Sequence, residues 1–194
     1  MSVAPLEFAF RLRNDMTVST ALPRMVEAVK KYRGFELHEN DLPADRFSCI
    51  HQEYEFDFYG LAYLSGLDPK LKNIDKILVI LTDFDNTMTD EGESNPGFWQ
   101  ALGNIQALVV AELDPLFGIL FSSENFDPTS IATMDEALNG GGYFSNYYIN
   151  ERLPRMKEYI IQHSTRELKY GYLVQEDLLS ERTPEGFNLR MGFD

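Results

Sequence analysis

Two aspartates one residue apart, Asp83 and Asp85, follow an apolar run at residues 77–81 and precede Thr87. A strand that ends in two carboxylates could present one as a nucleophile and the other as a general acid, as phosphoryl transfer requires. The same residues could instead form a polar turn, because Asp, Asn and Thr side chains readily bond to nearby backbone groups. The segment therefore predicts either a catalytic centre or a solvated turn.

The stretch ILVILTDFDNTM resembles the first motif of the haloacid-dehalogenase superfamily of phosphohydrolases, in which an apolar strand is followed by Asp, any residue, Asp, any residue, and Thr or Val. The resemblance implies that Asp83 attacks phosphorus and that Asp85 protonates the leaving group and then activates water. It also implies that Mg²⁺ bridges carboxylate and phosphate. This alternative predicts a Mg²⁺-dependent phosphohydrolase.

The later motifs of that family have looser candidates farther along the chain. A Ser or Thr would hold the phosphoryl group, a basic residue near a helix start would neutralise its charge, and an acidic pair after a third strand would share the metal with Asp83 and Asp85. The candidates, in that order, are Ser122; Arg152, Arg155 or Lys157; and Glu176 with Asp177.

The overall composition describes an acidic, well-folded chain. Of 194 residues, 31 are acidic and 17 basic, for a formal net charge of −14, and 44% are hydrophobic. The charge repels phosphate backbones and anionic lipid heads, so neither nucleic acid nor a membrane surface is an expected partner. With no apolar run long enough to span a bilayer and no secretory signal pattern, we expect a soluble cytoplasmic protein with one compact domain over residues 1–194. The single cysteine, Cys49, lies in an apolar run and is expected to be a buried structural thiol.

Apolar periodicity predicts alternating strands and helices along the chain. Strands are expected near residues 6–12, 35–39, from 46 onward, and at 77–81, 116–121, 143–149 and 170–174, with a further edge strand in the tail near 187–193. Helices are expected around 22–29, from Asn95-Pro96, from Asp127-Pro128, and at 154–163. The predicted fold class is α/β (α+β), with one mainly antiparallel or mixed sheet packed by about four helices, possibly as two strand–helix–strand units.

The strand expected from residue 46 carries an acidic stripe. Period-2 alternation predicts that His51, Glu53, Glu55 and Asp57 share one face of it. If residues 35–39 pair with this strand, Glu36 and His38 could join His51 and Glu53 as metal ligands. Exposed polar residues on a strand face are the simpler interpretation of this set.

The leading hypothesis is a non-enzymatic protein-interaction module, such as an inhibitor, an immunity or antitoxin-like protein, or an adaptor. It rests on the acidic strand face Glu53, Glu55 and Asp57, on the acidic segment 83–93 with Asp83 and Asp85, and on the lack of a complete catalytic set. The expected partner is a basic protein, because charge complementarity steers such encounters. No cofactor is expected in this interpretation.

Overall fold

A computed structural model of the chain describes residues 5–38, 45–63, 73–122, 146–152, 164 and 166–175. Their regular structure is dominated by strands, with two α-helices and three short 3-10 helices. The strands are β1 Pro5–Arg11, β2 Phe35–Leu37, β3 Arg46–His51, β4 Tyr54–Gly60, β5 Ile77–Asp83, β6 Phe117–Ser122, β7 Asn146–Asn150, β8 Arg166–Leu168 and β9 Gly171–Gln175. The helices are α1 Val18–Lys31 and α2 Pro96–Leu113.

All nine described strands form one sheet in the order β2-β3-β4-β5-β1-β6-β7-β9-β8, and every neighbouring pair is antiparallel. The predicted fold class, with a mainly antiparallel or mixed sheet and about four helices, is therefore wrong: the described residues form an antiparallel sheet with two α-helices. The helices predicted from residue 127 and at 154–163, and the tail strand, lie outside the described residues.

The two helical connections are not equivalent units. Helix α1 links β1 to β2, which lie four positions apart in the sheet, whereas α2 links β5 to β6, which flank β1 on its two sides. Strands β5 and β6 consequently run in the same direction with β1 between them. The suspected repetition of one strand–helix–strand unit does not describe this topology.

The two helices differ in how they are buried. Helix α1 has one apolar stripe, and its buried residues recur at the three- and four-residue spacing of a helix lying on a sheet: Val18, Ala21, Leu22, Met25, Ala28 and Val29. Helix α2 is buried on almost every side, from Phe98 to Leu113. No described helix is both long enough and apolar enough to cross a membrane.

The sheet curves strongly around α2. The side chain of Asn104, in the middle of α2, lies 3.0 Å from His51 Nε2 on β3 and accepts a hydrogen bond of 2.8 Å from Arg166 on β8. Strands β3 and β8 are seven positions apart, which in a flat sheet is about 34 Å at the usual strand spacing. One short side chain can reach both strands only because the sheet wraps around the helix.

Large apolar side chains fill the space between the sheet and the helices. The helix-facing side of the central strands carries fully buried Phe8, Phe10, Phe56, Phe58, Leu78 and Ile80. On the opposite side, Ala9, Ile77, Val79 and Ile119 are also buried, so both faces of the central strands are shielded from solvent. Burial on both faces explains why β5 reads as a continuous apolar run rather than an alternating one.

Candidate functional site

The chain turns sharply where β5 ends. Asp83 Oδ1 accepts a hydrogen bond of 3.0 Å from the backbone N–H of Asp85, and residues Phe84–Thr87 form a 3-10 helix. Thr87 Oγ1 donates to the carbonyl of Phe84 at 2.8 Å. These are the local side-chain to backbone bonds of an Asx-type turn. The carboxylate of Asp83 therefore shapes the turn and remains exposed.

Residues 83–93, the acidic loop, are closed by their own backbone. Thr89 N–H donates to the carbonyl of Glu93 at 2.7 Å, and Met88 pairs with Ser94 in an isolated bridge. Gly92 closes the inner turn with φ +79°, a backbone conformation that glycine adopts without strain. The loop therefore has a defined conformation.

Asn95 fastens this loop to the rest of the molecule. Its Oδ1 accepts from Phe98 N–H at 3.2 Å, which caps α2, while its Nδ2 lies 3.2 Å from Tyr54 OH and donates to the carbonyl of Asn86 at 3.0 Å. Its backbone N–H donates to the carbonyl of Thr87 at 2.8 Å. One side chain thus joins the loop, the start of α2 and strand β4.

The acidic loop combines charge with exposed apolar surface. Its five carboxylates, all exposed, belong to Asp83, Asp85, Asp90, Glu91 and Glu93, and none of them forms an ion pair within the described residues. Phe84 and Met88 are 47% and 46% exposed, and they are two of the four large hydrophobic residues that the described part of the chain exposes. The carboxylates are evident in the sequence, whereas the exposure of the two apolar residues is not, because strand and turn periodicity does not report exposure inside a loop.

The predicted continuous strand from residue 46 is wrong. The chain turns at Gln52 and Glu53, where Gln52 has φ +55°, and His51 pairs with Tyr54 across the turn. The turn reverses the faces, so His51 is buried on the helix side while Glu55 and Asp57 lie on the opposite side. Glu53 is exposed at the turn and belongs to neither strand.

The two acidic residues on β4 are already partnered. Glu55 Oε1 lies 2.8 Å from His38 Nδ1, and Asp57 accepts a hydrogen bond from Ser48 Oγ on β3. Thr82 on β5 donates to the carbonyl of Glu55 at 2.9 Å, which places this end of β4 beside the start of the acidic loop. Of the predicted binding residues, the structure thus brings Glu55 near Asp83, and it leaves Glu53 apart at the hairpin turn.

The candidate metal set of Glu36, His38, His51 and Glu53 does not converge. Strand β2 pairs with β3 as predicted, but the register places Phe35 opposite His51, so His51 and His38 face opposite sides of the sheet. The described residues contain no group of three or more potential metal ligands. The predicted buried thiol is confirmed: burial, reinforced by the negative charges of Asp57 and Glu55, raises the pKa of Cys49 to about 12.

The phosphohydrolase residues stand in a different setting from the one that the resemblance implies. Both neighbours of β5 are antiparallel to it, whereas that family flanks its nucleophile strand with parallel ones. The ends of β5 and β6 lie at the same edge of the sheet, but β1 separates Asp83 from Ser122 by two strand spacings, about 10 Å. Arg155, Lys157, Glu176 and Asp177 lie outside the described residues.

Two further observations bear on Mg²⁺ and on Arg152. Asp83 Oδ1 already accepts from the backbone, and no third carboxylate joins Asp83 and Asp85 in a ligand group within the described chain. The other two predicted ligands, Glu176 and Asp177, lie outside the described residues, so the described part of the chain holds only half of the predicted magnesium set. Arg152 instead forms an ion pair with Asp114, the residue that ends α2 with φ +49°.

Comparison of the chain with family models, with curated proteins and with solved structures finds no match.

Proposed function

We propose that this chain is a non-enzymatic protein-interaction module that recognises a basic protein partner through the acidic loop, residues 83–93. The proposal rests on one observation: this hydrogen-bonded loop presents both charge and apolar surface. It has five exposed carboxylates that form no ion pair within the described chain, and it has two exposed apolar side chains. An inhibitor, an immunity or antitoxin-like protein and an adaptor are the kinds of protein that use such a surface.

The charge would act mainly on the rate of encounter. A chain with a formal net charge of −14 attracts a basic surface over roughly one Debye length, about 8 Å at physiological ionic strength. Exposed carboxylates at the rim of an interface raise the association rate and disfavour acidic competitors more than they tighten the final complex. Self-association through this loop is opposed by the same repulsion.

The affinity would come from the apolar residues. Phe84 and Met88 can enter a recess on the partner, and aromatic and methionine side chains are enriched in interface cores. The bonds of Asn95 and the Met88–Ser94 bridge order the loop before binding, which lowers the entropy lost on association. The proposed partner surface is therefore an apolar recess surrounded by Lys and Arg.

Affinity capture with a matched pair of charge variants tests this proposal. The loop variant carries Asp85→Lys, Glu91→Lys and Glu93→Lys, which spares the turn-forming Asp83. The control carries Asp75→Lys, Glu151→Lys and Glu167→Lys at exposed positions elsewhere. Each reversal adds two charges, so both variants have a formal net charge of −8 instead of −14.

The native chain and the control should both capture the same basic protein, identified by mass spectrometry, and the loop variant should not. Replacing Phe84 and Met88 by Ser should weaken capture without any change in charge. If both charge variants lose capture equally, total charge and not the acidic loop governs binding. That result would refute the proposed surface.

A further inference from the structure

We propose that His51, Asn104 and Arg166 form a latch that holds the curved sheet closed around α2, and that the sheet opens at its β8 edge when the latch is released. The three residues come from β3, α2 and β8, and the contacts between them join two strands that are seven positions apart in the sheet. This inference is independent of the proposed function.

The hydrogen-bond directions in the latch are fixed from its two ends. His51 Nδ1 lies 2.7 Å from the carbonyl of Gly34, which can only accept, so the ring proton is on Nδ1. His51 Nε2 is then an acceptor, and Asn104 Nδ2 donates to it at 3.0 Å. At the other end Arg166 can only donate, so it requires Asn104 Oδ1 on its side, at 2.8 Å. The two ends demand the same orientation of the Asn104 amide.

The His51 end of the latch therefore keeps the Asn104 amide oriented for Arg166. If Arg166 is removed, the amide does not flip, because flipping would place Oδ1 against the unprotonated Nε2 of His51. Removing Arg166 thus releases β8 while the contact between His51 and Asn104 remains. The imidazole plane itself stays defined, because it stacks on Phe35 with ring centres 4.2 Å apart.

The two sides of the latch differ in how firmly they are otherwise held. Strand β8 has three residues and pairs only with β9 at the edge of the described sheet. His51 is buried and sits in a strand bonded on both sides. Short edge elements open at lower free energy than central strands, so release should free β8 and the hairpin it forms with β9, exposing Leu173 of the core.

Hydrogen exchange of the full-length chain tests the latch. The variant Arg166→Met removes one contact at an exposed position and should leave the fold intact. We expect amides in β8 and β9 to exchange about five- to tenfold faster than in the native chain, the order expected when one solvent-exposed hydrogen bond is lost, while those in β1 and β5 keep their rates. Lys169→Met, in the same hairpin but outside the latch, is the matched control and should change these rates less than twofold.

A second readout tests the hydrogen-bond directions in the latch. Nitrogen chemical shifts of the His51 ring should show the Nδ1–H tautomer in the native chain and in both variants, because the carbonyl of Gly34 holds that proton. The proposal is overturned if Arg166→Met leaves exchange in β8 and β9 within twofold of the control, if all strands accelerate equally, or if the His51 ring of the native chain carries its proton on Nε2.

Discussion

Substitutions of Asn95 can separate the stability of helix α2 from the ordering of the acidic loop, because its side-chain atoms Oδ1 and Nδ2 bond to different parts of the molecule. Oδ1 caps the helix by accepting from Phe98 N–H, and Nδ2 holds the loop through Tyr54 OH and the carbonyl of Asn86. Ser caps a helix about as well as Asn but provides no amide group to reach these two partners. The variants Asn95→Ser and Asn95→Ala therefore remove different contacts.

The expected magnitudes follow from these contacts. Loss of an N-cap costs about 1 kcal/mol, and each of the two partly buried hydrogen bonds contributes on the order of 0.5 to 1 kcal/mol. We expect the free energy of unfolding to fall by about 1 to 2 kcal/mol in Asn95→Ser and by about 2 to 3 kcal/mol in Asn95→Ala. The difference between the free energies of unfolding of the two variants gives the contribution of the helix cap.

Guanidinium denaturation measures both values, and an unchanged denaturant slope would show that the unfolded state is unaffected. Hydrogen exchange at the amides of Thr89 and Gly92, which bond inside the acidic loop, should accelerate in both variants. One result would contradict this role of Asn95: a free energy of unfolding for Asn95→Ser within about 0.3 kcal/mol of the native value, together with unchanged exchange at Thr89 and Gly92. Asn95 would then not order the loop, and the loop would not be pre-organised for binding by these bonds.

Three further predictions concern the sheet. Burial raises the pKa of Glu7 while its hydrogen bond from Tyr59 opposes the rise, so the folded chain binds this proton more tightly than the unfolded chain does and loses stability as pH increases above about 4.5. Glu7→Gln should flatten that slope in denaturation curves between pH 4 and 7, and parallel curves for the two proteins would refute the assignment. The Cys49 thiol, with its pKa raised to about 12, should resist a thiol reagent at pH 8 until denaturant is added; rapid labelling of the folded chain would contradict its burial. Gly118→Ala would place a methyl group in steric overlap with the ring of Phe8 and 2.8 Å from that of Phe10, so it should destabilise the chain by about 1 to 3 kcal/mol, and a neutral effect would show that these rings can move apart.

Local sequence patterns predicted the elements that have a regular apolar face or a clear capping signal. The alternation of Leu6, Phe8 and Phe10 indicated β1, the apolar stripe of α1 indicated that helix, and Asn95-Pro96 marked the start of α2. The turn at Gln52 and Glu53 was not predicted, because neither residue is of a type that favours turns and Gln52 adopts a positive φ that is unusual for glutamine; the error placed His51 on the wrong face.

The arrangement of the strands could not be predicted. Strand β8 has three residues, too few for a periodic signal, and the order of the sheet depends on contacts between residues far apart in sequence, such as β1 with β6. The acidic loop was partly predicted: its carboxylates are evident in the sequence, whereas the exposure of Phe84 and Met88 follows from the 3-10 turn and the bridge to Ser94.

The association rate of the captured basic partner tests the central claim most directly. It would be measured at low and physiological ionic strength for the native chain, for the loop variant Asp85→Lys, Glu91→Lys and Glu93→Lys, and for the control of equal net charge. We predict that the loop variant associates at least about tenfold more slowly than the control at low salt and that the gap narrows as salt screens the field. Equal association rates for the two variants at every ionic strength would contradict recognition through the acidic loop.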